Sequence, residues 1–148
     1  MRIVRSVKRA FWDASAIVPL CCSQPATVPG RKLLTELRRM VVWWGTPVEA
    51  RSAFARLVRE DRLTGPQRTA AIRLLNQLRG SWDEILPSEQ VRTLAAGLPD
   101  EYGIRGADAL QLAAALVWCR ERPRRRPFVC FDERLVAAAS KAGFTVRP

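Results

Sequence analysis

Histidine is absent from the 148-residue chain. That excludes Ser–His–Asp and Cys–His nucleophilic catalysis, His-based RNA cleavage and every metal site that needs an imidazole. The four cysteines, Cys21, Cys22, Cys119 and Cys130, form no C-x-x-C pair, so their spacing fits neither a zinc ribbon nor a thioredoxin-type site. Cys130 lies in an apolar run and reads as a small core residue, and the Cys21–Cys22 pair as packing. A reducing, cytoplasmic compartment is expected from this usage. No apolar run approaches the roughly 18 residues a membrane span needs, so no membrane association is expected. The N-terminal MRIVRSVKRAFWD is basic but has no apolar core, and a signal peptide is not expected. A G-x-x-x-x-G-K-[ST] loop is missing, which excludes a P-loop NTPase. If the chain is an enzyme at neutral pH, carboxylates and a metal are the agents left to it.

Lysine is scarce as well. Of 25 basic residues only Lys8, Lys32 and Lys141 are Lys, and with 14 acids the net charge is +11. The planar fork of Arg suits phosphate, so a polyanion, nucleic acid first, is the expected partner. An Arg-rich solvated surface is the competing reading. Apolar residues at 48% and charged residues at 26% are those of a globular chain. One domain spanning 1–148 is expected, with a core burying roughly 68–70% of the unfolded chain's surface. Residues 1–9 read as a basic N-terminal extension.

Apolar patterning alternates between strand and helix. Ala10–Trp12 reads as a strand ending at Asp13, and Ala16–Leu20 as a helix limited by Pro19. Cys21–Gly30 reads as loop, Arg31–Arg39 as helix and Met40–Trp44 as strand. A helix is predicted over Thr46–Glu60, with Thr46 as N-cap, Pro47 first and Glu49 closing a capping box. Pro66–Leu78 and Ser88–Leu98 read as further helices and Trp82–Leu86 as a strand. Ala107–Cys119 is apolar nearly all round and reads as a buried helix. Phe128–Phe131 is a strand, Leu135–Ala142 a helix stopped by Gly143, and Phe144–Val146 a last strand. This order implies an α/β fold on a largely parallel sheet.

Of the 14 acids, Glu36, Glu60, Asp61, Glu89 and Glu121 fall among Arg residues on helix surfaces or ends, where solvated pairing accounts for them, and Asp83, Glu84, Asp100 and Glu101 read as edge or loop residues. Asp13, Glu49 and Asp132 each follow an apolar strand-like run and precede or open a helix. Asp108 opens the buried helix. Each alone reads as a helix cap or first-turn acid. Together they say more, because the carboxyl ends of parallel strands share one edge and ligands bind there. Converging carboxylates repel unless a cation neutralises them. Oxygen-only donors suit Mg²⁺ or Mn²⁺.

Four segments now stand in order along the chain: FWDASAIVPL (Phe11–Leu20), TPVEARSAFARL (Thr46–Leu57), IRGADALQLAAAL (Ile104–Leu116) and FVCFDERLVAAASKAGFTV (Phe128–Val146). Through them the sequence resembles the PIN-domain ribonucleases, most closely the VapC-type toxins of bacterial toxin–antitoxin pairs. The resemblance implies a three-layer α/β/α sandwich around a mostly parallel sheet. It implies that Asp13, Glu49, Asp108 and Asp132 hold Mg²⁺ or Mn²⁺ and the attacking water, with the Ser15 hydroxyl supporting the first Asp. It implies cleavage of single-stranded RNA, a VapB-like antitoxin that blocks the site, and a homodimer. The sequence departs from the family at Gln111, where His is frequent; a supporting role is expected there. Glu133 is an extra acid beside Asp132, and reads as a helix-start acid rather than a ligand.

Arg122, Arg124, Arg125 and Arg126, before the last core strand, are candidate RNA contacts, as are Arg2, Arg5, Lys8 and Arg9. Of the five Trp residues, Trp12, Trp43 and Trp118 sit in apolar runs and read as core or dimer packing. The Trp43–Trp44 segment is a candidate dimer surface. The alternative reading is a nucleic-acid-binding or regulatory module of the same fold without catalysis. A phosphatase of another α/β fold is disfavoured, since such enzymes carry D-x-D where this chain has Asp13–Ala14–Ser15.

Overall fold

A computed structural model describes residues 8–148. Five strands form one sheet in the order β3-β2-β1-β4-β5. They are β1 (Arg9–Trp12), β2 (Arg39–Trp43), β3 (Asp83–Ile85), β4 (Pro127–Val129) and β5 (Thr145–Arg147). Every neighbouring pair is parallel, so the sheet is wholly and not only mostly parallel. Seven helices join the strands: α1 (Ala14–Cys21), α2 (Thr27–Glu36), α3 (Thr46–Arg59), α4 (Gly65–Arg79), α5 (Glu89–Tyr102), α6 (Gly106–Trp118) and α7 (Glu133–Ala142).

Side chains alternate across a strand, and here both faces are covered. Ala10, Trp12, Met40, Val42 and Val129 face a core shared with α1 to α4. Phe11, Val41, Trp43, Phe128 and Cys130 face a second core shared with α5, α6 and α7. The result is the three-layer α/β/α sandwich that the family resemblance implied. Burial on both faces also explains why the strands read as unbroken apolar runs rather than alternating ones.

Several boundaries differ from the sequence reading. The loop expected over Cys21–Gly30 is shorter, because α2 begins at Thr27. Pro29 is tolerated in that first turn, where a backbone N–H has no helical partner to lose. The helix expected to reach Arg39 stops at Glu36, and Arg39 instead pairs with Arg9 at the start of β2. Arg9 therefore belongs to the sheet and not to an extension; residues 1–7, with Arg2 and Arg5, lie outside the described residues. Helix α1 starts two residues early because the Asp13 side chain caps it, and it ends two residues past Pro19. Helix α5 runs through Pro99 to Tyr102, so Asp100 and Glu101 are helical rather than loop residues. No helix among the described residues is long and apolar enough to cross a membrane.

The chain runs from β1 outward through β2 to β3, then returns to the other side of β1 as β4. The order reverses between β1 and β4. In open α/β sheets this is where the carboxyl ends leave a crevice.

Candidate functional site

A cavity of about 390 Å³ opens at that crevice. Its wall includes all four acids singled out by the sequence: Asp13, Glu49, Asp108 and Asp132. Each comes from a different helix start. Asp13 caps α1, its Oδ2 accepting from the Ser15 N–H at 3.0 Å. Asp132 caps α7, its Oδ1 accepting from the Leu135 N–H at 3.0 Å. Glu49 and Asp108 lie in the first turns of α3 and α6. The cap reading and the cluster reading are thus both correct for Asp13 and Asp132. Helix N-termini favour negative charge, which offsets part of the repulsion among the acids.

The electrostatics carry the mark of that repulsion. Asp13 is almost wholly buried, and burial pushes its carboxyl up, against hydrogen bonding from Ser15, Ala14 and Cys130. Glu49 is raised to about 7, first by burial, then by the charges of Asp13 and Asp108, while the Gln111 hydrogen bond lowers it. Asp108 is raised to about 6 by burial and by Asp132 and Asp13, against the pull of Arg105 and Arg134. Carboxylates that hold one another's protons on are a set from which a cation would release them.

Three residues brace this set. The Ser15 hydroxyl accepts from the Phe131 N–H at 3.0 Å, so it ties α1 to the segment that delivers Asp132. The buried Cys130 Sγ lies 3.6 Å from Asp13 Oδ2 and 3.5 Å from Ser15 Oγ. It is a core residue, as read, packed behind Asp13 and Ser15, and burial pushes its thiol up. Gln111, fully buried on α6, donates from Nε2 to Thr46 Oγ1 at 2.9 Å and to Glu49 Oε1 at 3.0 Å.

That last arrangement corrects the expected capping box. The N-cap of α3 is Gly45, and no side chain caps it. Thr46 is instead the first helical residue, fully buried, with its hydroxyl on Gln111. Glu49 turns toward the same amide rather than back to the helix start. Gln111, which lies 62 residues along the chain from Glu49, competes successfully for both groups.

The Arg residues at the site are not those expected. Arg122, Arg124, Arg125 and Arg126 precede β4, which puts them at the edge of the sheet opposite the cavity. Arg126 lies over the Trp118 ring, 5.5 Å from its centroid. Arg56 lines the cavity, and Arg105 and Arg134 face Asp108 closely enough to lower it. Helical spacing was the available signal for Arg56, seven residues and two turns after Glu49 on one face of α3. Glu133 is exposed at the first position of α7 and does not line the cavity.

Oxygen donors alone, one buried and three more open, suit a hard divalent cation such as Mg²⁺ or Mn²⁺. Among the described residues no three acids or thiols make a ready-made cage. A hydrated Mg²⁺ asks only one or two carboxylates directly, so the donor set fits such an ion.

No family model matches the chain, and no curated protein matches its sequence. Solved structures do match. PAE2754 from Pyrobaculum aerophilum superposes with a TM-score of 0.65 at 20% identity, covering 93% of this chain and 83% of that one. FitAcB from Neisseria gonorrhoeae gives a TM-score of 0.63 at 18% identity, covering 94% of this chain and 96% of that one. The fold is PIN-like. At such identities the likeness is one of fold alone.

Proposed function

We propose that this chain is a Mg²⁺- or Mn²⁺-dependent endoribonuclease that cuts single-stranded RNA, and that it is the toxin of a VapC-type toxin–antitoxin pair. The observation that carries the reading is the meeting of Asp13, Glu49, Asp108 and Asp132 in one cavity of a chain with net charge +11 and no His. A non-catalytic binding module has little physical reason to gather carboxylates that raise one another's pKa.

Asp13, Asp108, Asp132 and Glu49 would hold the ion, directly or through water. When bound, such an ion lowers the pKa of water and stabilises developing negative charge on phosphate oxygens. Glu49, near 7 without the ion, has the affinity to take a proton from an attacking water at neutral pH. Arg56, Arg105 and Arg134 draw the RNA backbone to a site that is otherwise acidic. The buried Asp13, fixed by the Ser15 N–H, sets the floor against which the rest are placed.

A VapB-like antitoxin belongs to the reading as partner, with a homodimer and a cytoplasmic setting. The fold likeness to FitAcB supports a two-component system. For a dimer, support comes from exposed apolar side chains just after β2, at the start of α3 and just after β3: Trp44, Val48 and Leu86 are 53%, 73% and 62% exposed.

The test is RNA cleavage by the purified chain with Mg²⁺ or Mn²⁺, and again with excess EDTA, beside Asp13→Asn and Asp108→Asn. Metal-dependent cutting lost in both variants is expected. No cutting by the wild type, together with no Mn²⁺ binding in a titration, sinks the reading and leaves the binding module.

A further inference from the structure

Polar side chains are buried at only four positions among the described residues: Asp13, Thr27, Thr46 and Gln111. Thr27 is explained locally, its hydroxyl donating to the Pro19 carbonyl and accepting from the Gln24 N–H. The other three belong to the carboxylate cavity or its immediate support. Gln111 is the one whose presence the fold does not require. Helix α6 is otherwise apolar along its buried face, with Ala109, Leu112, Ala113, Ala114 and Ala115 around it. A leucine there would fill similar space.

The amide is also incompletely paired. Both Nε2 protons are used, one on Thr46 Oγ1 and one on Glu49 Oε1, while Oε1 is buried without a partner. Turning the amide over would not help. It would set the carbonyl oxygen against the oxygen of an ionised Glu49, acceptor against acceptor. The orientation is therefore set by Glu49, and the orphaned oxygen is its consequence. An unsatisfied buried polar atom in a native fold asks for a reason beyond packing.

We infer that Gln111 is the positioning residue for Glu49: its amide, anchored on the buried Thr46 hydroxyl, fixes the carboxylate toward the cavity. Glu49 and Asp108 lack both a backbone cap bond and a buried position of their own, and of the two only Glu49 takes a side-chain hydrogen bond. Asp13 and Asp132 are fixed by caps. Without the amide, the longer Glu49 side chain would sample several rotamers at the cavity mouth. Residues in this supporting position orient the groups that meet a metal or substrate, and their loss acts on those groups rather than on the fold.

The inference rests on the ribonuclease reading, and the test separates the two. Gln111→Leu, Thr46→Val and Thr46→Ser are compared with the wild type in three measurements: kcat and KM on single-stranded RNA, Mn²⁺ affinity of the metal-free protein by calorimetry, and Tm in EDTA. For Gln111→Leu we expect kcat or Mn²⁺ affinity to fall by about 10–100-fold, with KM within about twofold and Tm unchanged or raised. Thr46→Val follows in the same direction, and Thr46→Ser, which keeps the hydroxyl, restores most of the loss. A Gln111→Leu protein with wild-type kcat and wild-type Mn²⁺ affinity overturns the inference and leaves the ribonuclease reading standing. A fall in Tm with no change in kcat or metal affinity also overturns it, since that is a plain cross-brace between α6 and α3. If Gln111→Leu does not fold, the Thr46→Val and Thr46→Ser pair decides by the same criteria. A wild type that neither cuts RNA nor binds Mn²⁺ refutes the function and the inference together.

Discussion

Replacing Glu49 by Gln should stabilise the metal-free protein increasingly as the pH rises from about 4.5 to about 7. In the fold Glu49 titrates near 7, against an ordinary value of 4.5, because it is half-buried and faces Asp13 and Asp108. A folded-state value above the unfolded one means that protonated Glu49 favours the fold at low pH. That contribution starts to fall as the pH rises past 4.5 and is gone once it has passed about 7. At about 1.36 kcal/mol for each pKa step of one, the raised value corresponds to at most about 3 kcal/mol. Solvent reaches part of the side chain and screens it, so about 1–2 kcal/mol is the working figure. Gln at this position keeps an oxygen to accept from Gln111 but carries no charge. Thermal unfolding in EDTA should therefore give equal Tm values near pH 4.5. At pH 8 the variant should be higher by about 2–8 °C, at roughly 2–4 °C for each kcal/mol in a chain of this size. Adding Mn²⁺ at pH 8 should reverse the order, because an ion that binds only the folded wild type adds about 2.7 kcal/mol at a hundredfold excess over its Kd. A Tm difference that is the same at both pH values, or a variant less stable at pH 8, would refute the repulsion argument.

The same geometry yields further expectations. Ser15→Ala removes the acceptor of the Phe131 N–H and should cost about 1–3 kcal/mol in urea unfolding, with cleavage reduced because the Asp132 segment loosens. Gly143→Ala should cost about 1–3 kcal/mol: the residue holds φ at +112° and a Cβ would meet Pro123 Cγ at 3.1 Å, so a Tm equal to the wild type would contradict the strained cap. Arg56→Ala should weaken RNA binding and lower its salt dependence by about one released counterion. The Arg124→Ala/Arg125→Ala double variant, at the far edge of the sheet, should leave kcat as it is; filter binding across a salt series distinguishes the two.

The alternation of elements and their apolar runs carried the fold class, because a strand buried on both faces has to be apolar throughout. Legible too were the four acids, since each follows a strand or opens a helix and the carboxyl edge of a parallel sheet is a single line. What misled was local chemistry with a distant competitor. Thr46–Pro47–Val48–Glu49 is a good capping box by its own spacing, yet Gln111 takes both the hydroxyl and the carboxylate. The run from Arg122 to Arg126 was a candidate RNA contact by charge alone, and sheet topology sets it at the end of the strands away from the acids.

Periodicity and residue type act along the chain, over turns and strands of a few residues. They determined by themselves an α/β fold on a largely parallel sheet, the candidate carboxylates and the exclusion of imidazole chemistry. Which hydroxyl is buried and which amide holds Glu49 were decided only when α3 and α6, from opposite faces of the sheet, met at its carboxyl edge. Those are contacts between residues 62 or more positions apart. Their outcome depends on which donors and acceptors the fold leaves without water, and no local pattern records that.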